Sequence, residues 1–434
     1  MIPILLAAAA LAQTTLAAKE IPAAAHAATQ IPGGLCVVLP ATDGAALAAF
    51  SDSGRFVVRG FTPASSLDAV RDAIPANLGG LVSAEAWRPG PTLPFADHLI
   101  DLLVVDRDAL QNGPGDAELL RVIAPACGAV WQKKGGQWSK LTKPLPREYG
   151  TWTHYYGDAT SNPVSKDTAV KVPTGLQWIA ESPTRQTSRN QLAEGGRYLG
   201  DFRDYTSMRQ AFNGIQLWRT HSTDRWNDPK RFGAIALADG LVYTLRDLKK
   251  GPVVARDGAT GKEVKVFEAP LPEPRVPERR ELHWGNLAVF EDHLLLARGD
   301  KLLDWERATG SLRWTFDGAG KNVAFPAVDP ENKRIGVLLA ADNITFMHAD
   351  RQTYFSAAEV ASINLKDGVT PWRTAYPMPQ APGPVAAFLW AGGAFYFHHS
   401  KGLAQGGIAI GCVEAATGKP RWLKPNIEKG CVSR

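Results

Sequence analysis

One glycine-centred turn returns five times in the second half of the chain, and it constrains the fold more than any other feature of the sequence. In four of the five copies a tryptophan stands four residues after the glycine: Gly214 leads to Trp218, Gly310 to Trp314, Gly368 to Trp372 and Gly418 to Trp422. The remaining copy, at Gly261, has Lys265 in that place, with Phe267 two residues further on. The glycines are 47, 49, 58 and 50 residues apart.

Each turn has a physical reading. A strand ends, Asn-Gly, Asp-Gly or Thr-Gly supplies a residue that tolerates positive φ, and a return strand begins. The tryptophan on that return strand offers a large apolar face to a neighbouring unit. A repeat of roughly 40–50 residues holding four short strands is the signature of a β-propeller blade. The strands of successive units can be traced in the sequence, for example 234–238, 241–245 and 253–256 leading into Thr260-Gly261, and 287–290, 294–297 and 302–305 leading into Thr309-Gly310. Between Trp152 and Trp422 there is room for five to six blades. A propeller must close to cover its edge strands, so the chain is read as a truncated version of a longer one.

A length of 434 residues implies two or three domains. The net charge of +5 is spread over the whole chain, which argues against a nucleic-acid partner. The first residues, Met1 to Leu6 and then Ala7 to Ala12, read as the apolar core of a secretory signal ending by residue 18, too short to span a bilayer. This places the protein outside the cytoplasm, in the periplasm or cell envelope, with no transmembrane span. Of the four cysteines, Cys36 and Cys127 read as buried thiols in apolar surroundings, and Cys412 and Cys431 as a possible pair.

Residues 31–135 alternate strand and helix patterns. Strands are expected at 34–40, 55–60, 81–84, 99–106 and 128–131. Helices are expected at 45–50, 65–74 (capped by Ser65 or Ser66) and 117–123. That alternation implies a parallel sheet with helices on both faces. A Gly135-Gly136 hairpin and a stiff Lys143-Pro144-Leu145-Pro146 stretch fall in a linker, 136–151.

The 31–135 stretch resembles a class I S-adenosylmethionine-dependent methyltransferase, with Arg121 to Gly128 similar to that family's helix-to-last-strand signature. The resemblance implies a glycine-rich turn after the first strand, where the backbone approaches the cofactor, and an acidic residue ending the second strand. This chain departs from both. The first turn reads Leu39-Pro40-Ala41-Thr42-Asp43-Gly44, and the second strand ends Gly60-Phe61-Thr62. Only Asp43, Gly44 and Asp106 remain as candidate cofactor-binding positions, so the expectation is a degenerate domain that keeps the fold without the site. Asp106 and Asp108 read as surface carboxylates rather than as an acid or base.

From residue 152 onward the repeats resemble those of pyrroloquinoline-quinone-type propellers, Ala255-Arg256-Asp257-Gly258-Ala259-Thr260-Gly261-Lys262 most of all. The run Trp152-Thr153-His154-Tyr155-Tyr156-Gly157-Asp158-Ala159-Thr160-Ser161-Asn162 is similar to the segment that opens such propellers, with Leu176 to Ala180 as the first paired strand. The family includes quinoprotein alcohol and glucose dehydrogenases and the non-catalytic lipoprotein of the outer-membrane protein assembly machinery. The dehydrogenases use a calcium held by Glu, Asn and Asp, a catalytic Asp and commonly adjacent cysteines. No adjacent cysteines occur here, and no residue is assigned as a catalytic group or metal ligand.

Other constellations are weak. His398 and His399 alternate along a strand and would not chelate one ion. His-Glu-x-x-His, a phosphate loop and Gly-x-Ser-x-Gly are missing from the sequence. Trp218, His221, Trp226 and Trp284 are more in keeping with blade packing than with a ligand face. The expectation is therefore an α/β Rossmann-like N-terminal domain plus an all-β propeller over 152–434. It would act as an exported binding scaffold without a cofactor, for a protein, small-molecule or polysaccharide ligand held on a propeller face. The alternatives are a quinone- and calcium-dependent oxidoreductase and an S-adenosylmethionine-dependent methyltransferase whose propeller selects substrate.

Overall fold

The computed structural model describes residues 17, 19–172, 175–179, 190–201, 205–221, 235–246, 252–268, 287–347, 352–375, 385–400 and 408–427. The chain forms two compact units. One comprises residues 1–147, 171–181 and 210–215, and the other comprises 148–170, 182–209 and 216–434. Most of the expected signal segment, residues 1–16 and 18, lies outside the described residues.

The first unit runs α1 (Ile21–Thr29), β1 (Gly34–Leu39), α2 (Gly44–Ala49), β2 (Phe56–Thr62), α3 (Leu67–Asp72), β3 (Val82–Ala86), β4 (Leu102–Asp106), α4 (Asp116–Val122), β5 (Ala129–Lys134) and β6 (Gln137–Thr142). The strands form one sheet in the order β3-β2-β1-β4-β5-β6. All neighbours are parallel except β5 and β6, an antiparallel hairpin turned by Gly135 and Gly136 at φ 60° and 77°. The near-continuous apolar runs of β1 and β4 follow from burial on both faces. Cys36, Val38, Leu102 and Val104 pack with Ala25, Leu47 and Val70 of the helices on one side. Val37, Leu39, Leu103 and Val105 pack with Leu119 and Val122 of α4 on the other.

This unit reaches beyond the expected 31–135. Helix α1 packs into its core from before residue 31, and β6 uses residues read as linker. Helix α3 is shorter than the expected 65–74, and Ser66 makes no side-chain cap to it.

Among the described residues the second unit forms five antiparallel four-stranded sheets, each running from its first strand to its fourth in chain order. The first sheet is β7 (Asn190–Glu194), β8 (Arg197–Asp201), β9 (Tyr205–Gln210) and β10 (Gln216–His221). The second is β11 (Ile235–Ala238), β12 (Leu241–Leu245), β13 (Val253–Asp257) and β14 (Glu263–Phe267), and the third is β15 (Leu287–Phe290), β16 (His293–Arg298), β17 (Lys301–Glu306) and β18 (Leu312–Asp317). The fourth is β19 (Asn322–Asp329), β20 (Arg334–Met347), β21 (Gln352–Asn364) and β22 (Trp372–Ala375), and the fifth is β23 (Val385–Ala391), β24 (Ala394–Ser400), β25 (Ile408–Glu414) and β26 (Pro420–Ile427). These sheets are the blades. The 58-residue step between Gly310 and Gly368 is taken up by the long β20–β21 hairpin, which pairs as far as Met347 with Gln352.

Strand alternation gives each sheet two faces, and every apolar cluster of this unit is shared by two successive sheets. Leu192 and Met208 of the first sheet meet Ile235 and Leu237 of the second. Tyr243 and Phe267 meet Leu294 and Trp305. Leu295 and Phe316 meet Val337 and Ile363. Leu338 and Val360 meet Phe388 and Phe395. A blade alone would leave its apolar faces exposed, so the stack of blades forms the core.

Candidate functional site

The five turns share one geometry. The glycine N–H donates to the carbonyl four residues earlier: Gly214 to Gln210 at 3.0 Å, Gly261 to Asp257 at 2.8 Å, Gly310 to Glu306 at 2.7 Å, Gly368 to Asn364 at 3.0 Å and Gly418 to Glu414 at 2.8 Å. All five glycines have positive φ, between 71° and 84°. The anchor on the fourth strand of one sheet reaches the turn of the next. Its indole N–H donates to the carbonyl three residues before the glycine: Trp218 to Gly258 at 3.0 Å, Trp314 to Leu365 at 2.8 Å and Trp372 to Ala415 at 3.0 Å. The ring lies against the glycine, so that a Cβ on Gly368 would stand 2.9 Å from the Trp314 indole.

Two anchors differ from expectation. Residues 175–179 are described but lie outside any strand, and yet Trp178 within them docks like the others, donating to Ala211 at 2.9 Å over Gly214. Lys265, where the pattern lacks its tryptophan, sends its ammonium to the Arg307 carbonyl at 3.0 Å, the equivalent acceptor. Of the other aromatic positions singled out in the sequence, Trp226 and Trp284 lie outside the described residues, as does Cys431.

A second feature was not legible as such in the sequence. The segment 152–160 crosses all five sheets of the second unit and meets the N–H of the penultimate residue of each first strand. Ala193 of β7 donates to the Trp152 carbonyl at 2.8 Å, and Leu237 of β11 to Thr153 at 2.9 Å. Val328 of β19 donates to Ala159 at 2.8 Å, and Trp390 of β23 to Thr160 at 2.9 Å. For β15 the acceptor is a side chain, since Val289 N–H donates to His154 Nε2 at 2.9 Å.

The reason lies in a local reversal, in which Thr153 and His154 both donate to the Gly157 carbonyl, so that the imidazole takes the place of a carbonyl. With Nε2 accepting, the proton sits on Nδ1, 2.8 Å from Thr153 Oγ1. Burial holds the His154 pKa down to about 4, so the ring is neutral. Asp158 shapes the end of the segment by accepting from the Thr160 N–H at 2.9 Å and from Lys166 at 2.6 Å.

In the first unit the candidate cofactor positions lie near the carboxyl ends of β1 and β4, where the sheet order reverses. Asp43 caps α2 by accepting from the Ala45 N–H at 2.8 Å. Gly44 is packed against α3, and a Cβ there would stand 2.1 Å from the Val70 carbonyl. Asp106 accepts from the N–H groups of Asp108 and Ala109 and from Lys133 at 3.2 Å. Asp108 accepts from Gly135 and Gly136, both at 2.8 Å, in the β5–β6 turn. The carboxylate that sequence reasoning missed is Asp101. It is buried and accepts from Leu35 N–H at 2.8 Å and Asn213 Nδ2 at 2.6 Å, and burial raises its pKa to about 6. Gly34, at φ 120°, leaves the room its carboxylate needs.

Among the described residues no group of three or more His, Cys, Asp and Glu stands close enough to hold a metal ion, and no helix is long and apolar enough to cross a membrane.

Among solved structures, BamB from Moraxella catarrhalis is similar at 12% identity and a TM-score of 0.40, over 71% of this chain and 85% of that one. A europium-containing methanol dehydrogenase is similar at 11% identity and 0.44, over 64% and 58%. The quinohemoprotein alcohol dehydrogenase of Comamonas testosteroni is similar at 15% and 0.41, over 64% and 49%. The chain thus spans only about half the length of the quinohemoprotein alcohol dehydrogenases it resembles. No curated protein matches it. Residues 207–429, half of the chain, match the family described as outer membrane protein assembly factor BamB, and with five blades joined by one repeated anchor-and-turn geometry the chain belongs to that family.

Proposed function

We propose that the protein is a non-catalytic binding scaffold of the cell envelope, whose blades present a face to a protein or polysaccharide partner. The observation that carries this reading is the segment 152–160. It crosses the first strands of all five described sheets and uses up one N–H of each. A ligand reaching those strands would have to displace bonds the chain already makes with itself. Family membership supports the envelope location and a role in assembling other proteins.

Two observations among the described residues favour this reading over either rival cofactor. Quinone with calcium needs a converging set of oxygen donors, and the first strands meet the protein's own backbone and a neutral imidazole. An adenosyl cofactor needs free backbone after β1. There, Gly44 is committed to α3, Asp43 to its cap, and a bulky Leu39-Pro40-Ala41 forms the turn.

Three measurements on the full chain test the reading. Addition of pyrroloquinoline quinone and calcium is expected to give no absorbance change and no dye reduction. Calorimetry with S-adenosylmethionine is expected to give no micromolar binding. Capture from envelope extract on immobilised protein is expected to retain a discrete partner that is lost when the blades are unfolded. Quinone-dependent dye reduction or micromolar adenosyl binding would overturn the scaffold reading.

A further inference from the structure

The long hairpin of the fourth sheet outruns its neighbours. Strands β20 and β21 stay paired from Arg334 with Asn364 to Met347 with Gln352. Strand β19 pairs with β20 only as far as Asn322 with Ala340, and β22 pairs with β21 only as far as Ala375 with Glu359. Past those points the hairpin is a two-stranded ribbon, and among the described residues neither of its edges meets another strand.

Such a ribbon is marginal alone in water, and each edge presents backbone N–H and C=O groups for pairing. The two edges are not alike. On β20 the register shifts between Ala341 and Ile344, so Asp342 and Asn343 are extra residues, and an irregularity that carries a charge blunts an edge. On β21 every residue from Gln352 to Ala357 is paired in turn. The sequence of that run, Gln352-Thr353-Tyr354-Phe355-Ser356-Ala357, holds no charge and no proline. The fourth strands, which form the outer edges of the five described sheets, each hold a cation: Arg219, Lys265, Arg313, Arg373 and Arg421. The chain itself is a poor occupant of the β21 edge. It would have to extend β22 beyond Ala375, where the sequence runs Tyr376-Pro377-Met378-Pro379-Gln380-Ala381-Pro382. Prolines at 377, 379 and 382 supply no N–H to a ladder.

We propose that residues 352–357 pair with the same strand of a second copy of this chain, joining two fourth blades edge to edge. A twofold axis makes the contact antiparallel and self-complementary. It sets either Tyr354 or Phe355 opposite its own copy at the centre, an aromatic cross-strand pair in both registers. An uncharged strand meets no like-charge repulsion from its copy. The blunted β20 edge stops the pairing at two copies. The contact is short, so the dimer is weak and depends on concentration.

Sedimentation velocity on the full chain, from about 1 µM to about 500 µM, tests this. The expected result is a shift from monomer to dimer across that range. Tyr354→Lys with Phe355→Lys places like charges at the twofold axis and is expected to hold the chain monomeric throughout. Its Tm is expected to stay within about 2 °C of the parent, because the ribbon lies outside the four-stranded part of the sheet. A parent that remains monomeric at the highest concentration, or a dimer that the lysines leave intact, would overturn the proposal. Cysteine trapping gives a readout that does not depend on how the lysines affect the ribbon. Tyr354→Cys and Phe355→Cys, made singly and mildly oxidised, are expected to yield a disulfide-linked dimer at one position or both. Lys366→Cys, at an exposed site on the Gly368 turn, is expected to yield none. Trapping at neither ribbon position, or trapping at 366 to the same extent, would also overturn the proposal.

Discussion

The ammonium of Lys265 lies 3.0 Å from the main-chain carbonyl of Arg307, the position that receives an indole N–H at the other turns. It also donates to the neighbouring carbonyl of Ala308. A residue that breaks the tryptophan pattern in sequence thus preserves the pattern's hydrogen bond in space. What it gives up is the flat ring over the glycine. Arg307 itself is held by Tyr243 at 3.0 Å and Asp239 at 2.8 Å, both on the second blade, so this junction relies on polar ties where the others rely on an indole.

Replacement of Lys265 separates the two contributions. Lys265→Ala removes a charge-assisted donor at a partly exposed site and is expected to cost about 1 kcal/mol. Lys265→Trp supplies both the donor and the apolar surface and is expected to stabilise the chain by about 1 kcal/mol. Chemical denaturation of the two variants beside the parent checks this. A destabilising tryptophan would show that the junction has no room for the ring.

The glycines should then differ in their tolerance of alanine. At Gly310, a Cβ would find its nearest neighbours at 3.4 Å and beyond, so Gly310→Ala carries only the left-handed backbone cost of about 1–2 kcal/mol. At Gly368, the Trp314 indole stands 2.9 Å from the same point, and displacing it adds about 1–3 kcal/mol. Thermal unfolding of the pair is expected to rank Gly368→Ala well below Gly310→Ala, and equal losses would remove the docking account.

His154 sets an acid limit on the second unit. Its folded pKa, about 4, lies below the ordinary value of 6.5 because the ring is buried. The unfolded chain takes up the proton first, so the contribution of His154 is complete above about pH 6.5 and is lost as the pH falls towards 4. His154→Gln keeps an acceptor for Val289 and is expected to flatten that slope. His154→Ala leaves the Val289 N–H unmet in a dry site and is expected to cost about 1–3 kcal/mol at neutral pH. Unfolding followed between pH 4 and pH 8 distinguishes the three proteins.

Asp101 gives the first unit the opposite dependence. Burial raises its pKa to about 6, so the folded state holds the proton more tightly than the unfolded chain does. Stability from this group is present below about pH 4 and is lost as the pH rises through about 6, by a few kcal/mol at most. Asp101→Asn can still accept from the Leu35 N–H and is expected to abolish the slope and to raise stability at pH 7. A variant less stable than the parent at pH 7 would show that the carboxylate's bond to Asn213 outweighs its burial.

The elements and their repetition were legible from neighbouring residues alone. Apolar runs in β1 and β4 announced a sheet covered on both faces, and turn glycines about fifty residues apart announced the blades. Both are local signals, because strand period and turn chemistry are written in neighbouring residues. Features that depend on distant partners emerged only in the assembled fold. His154 and Val289 are 135 residues apart, and nothing near either one states that an imidazole will stand in for a carbonyl. Asp101 lies 112 residues from Asn213, and its burial is a property of the assembled unit. Lys265 read as a break in the motif until Arg307 was placed beside it. Trp422 carries the same local motif as Trp314 and Trp372, and only the positions of the five turns set it apart as exposed. A periodic pattern fixes which face of a strand is apolar, but which atom meets that face is settled by chain closure over long separations.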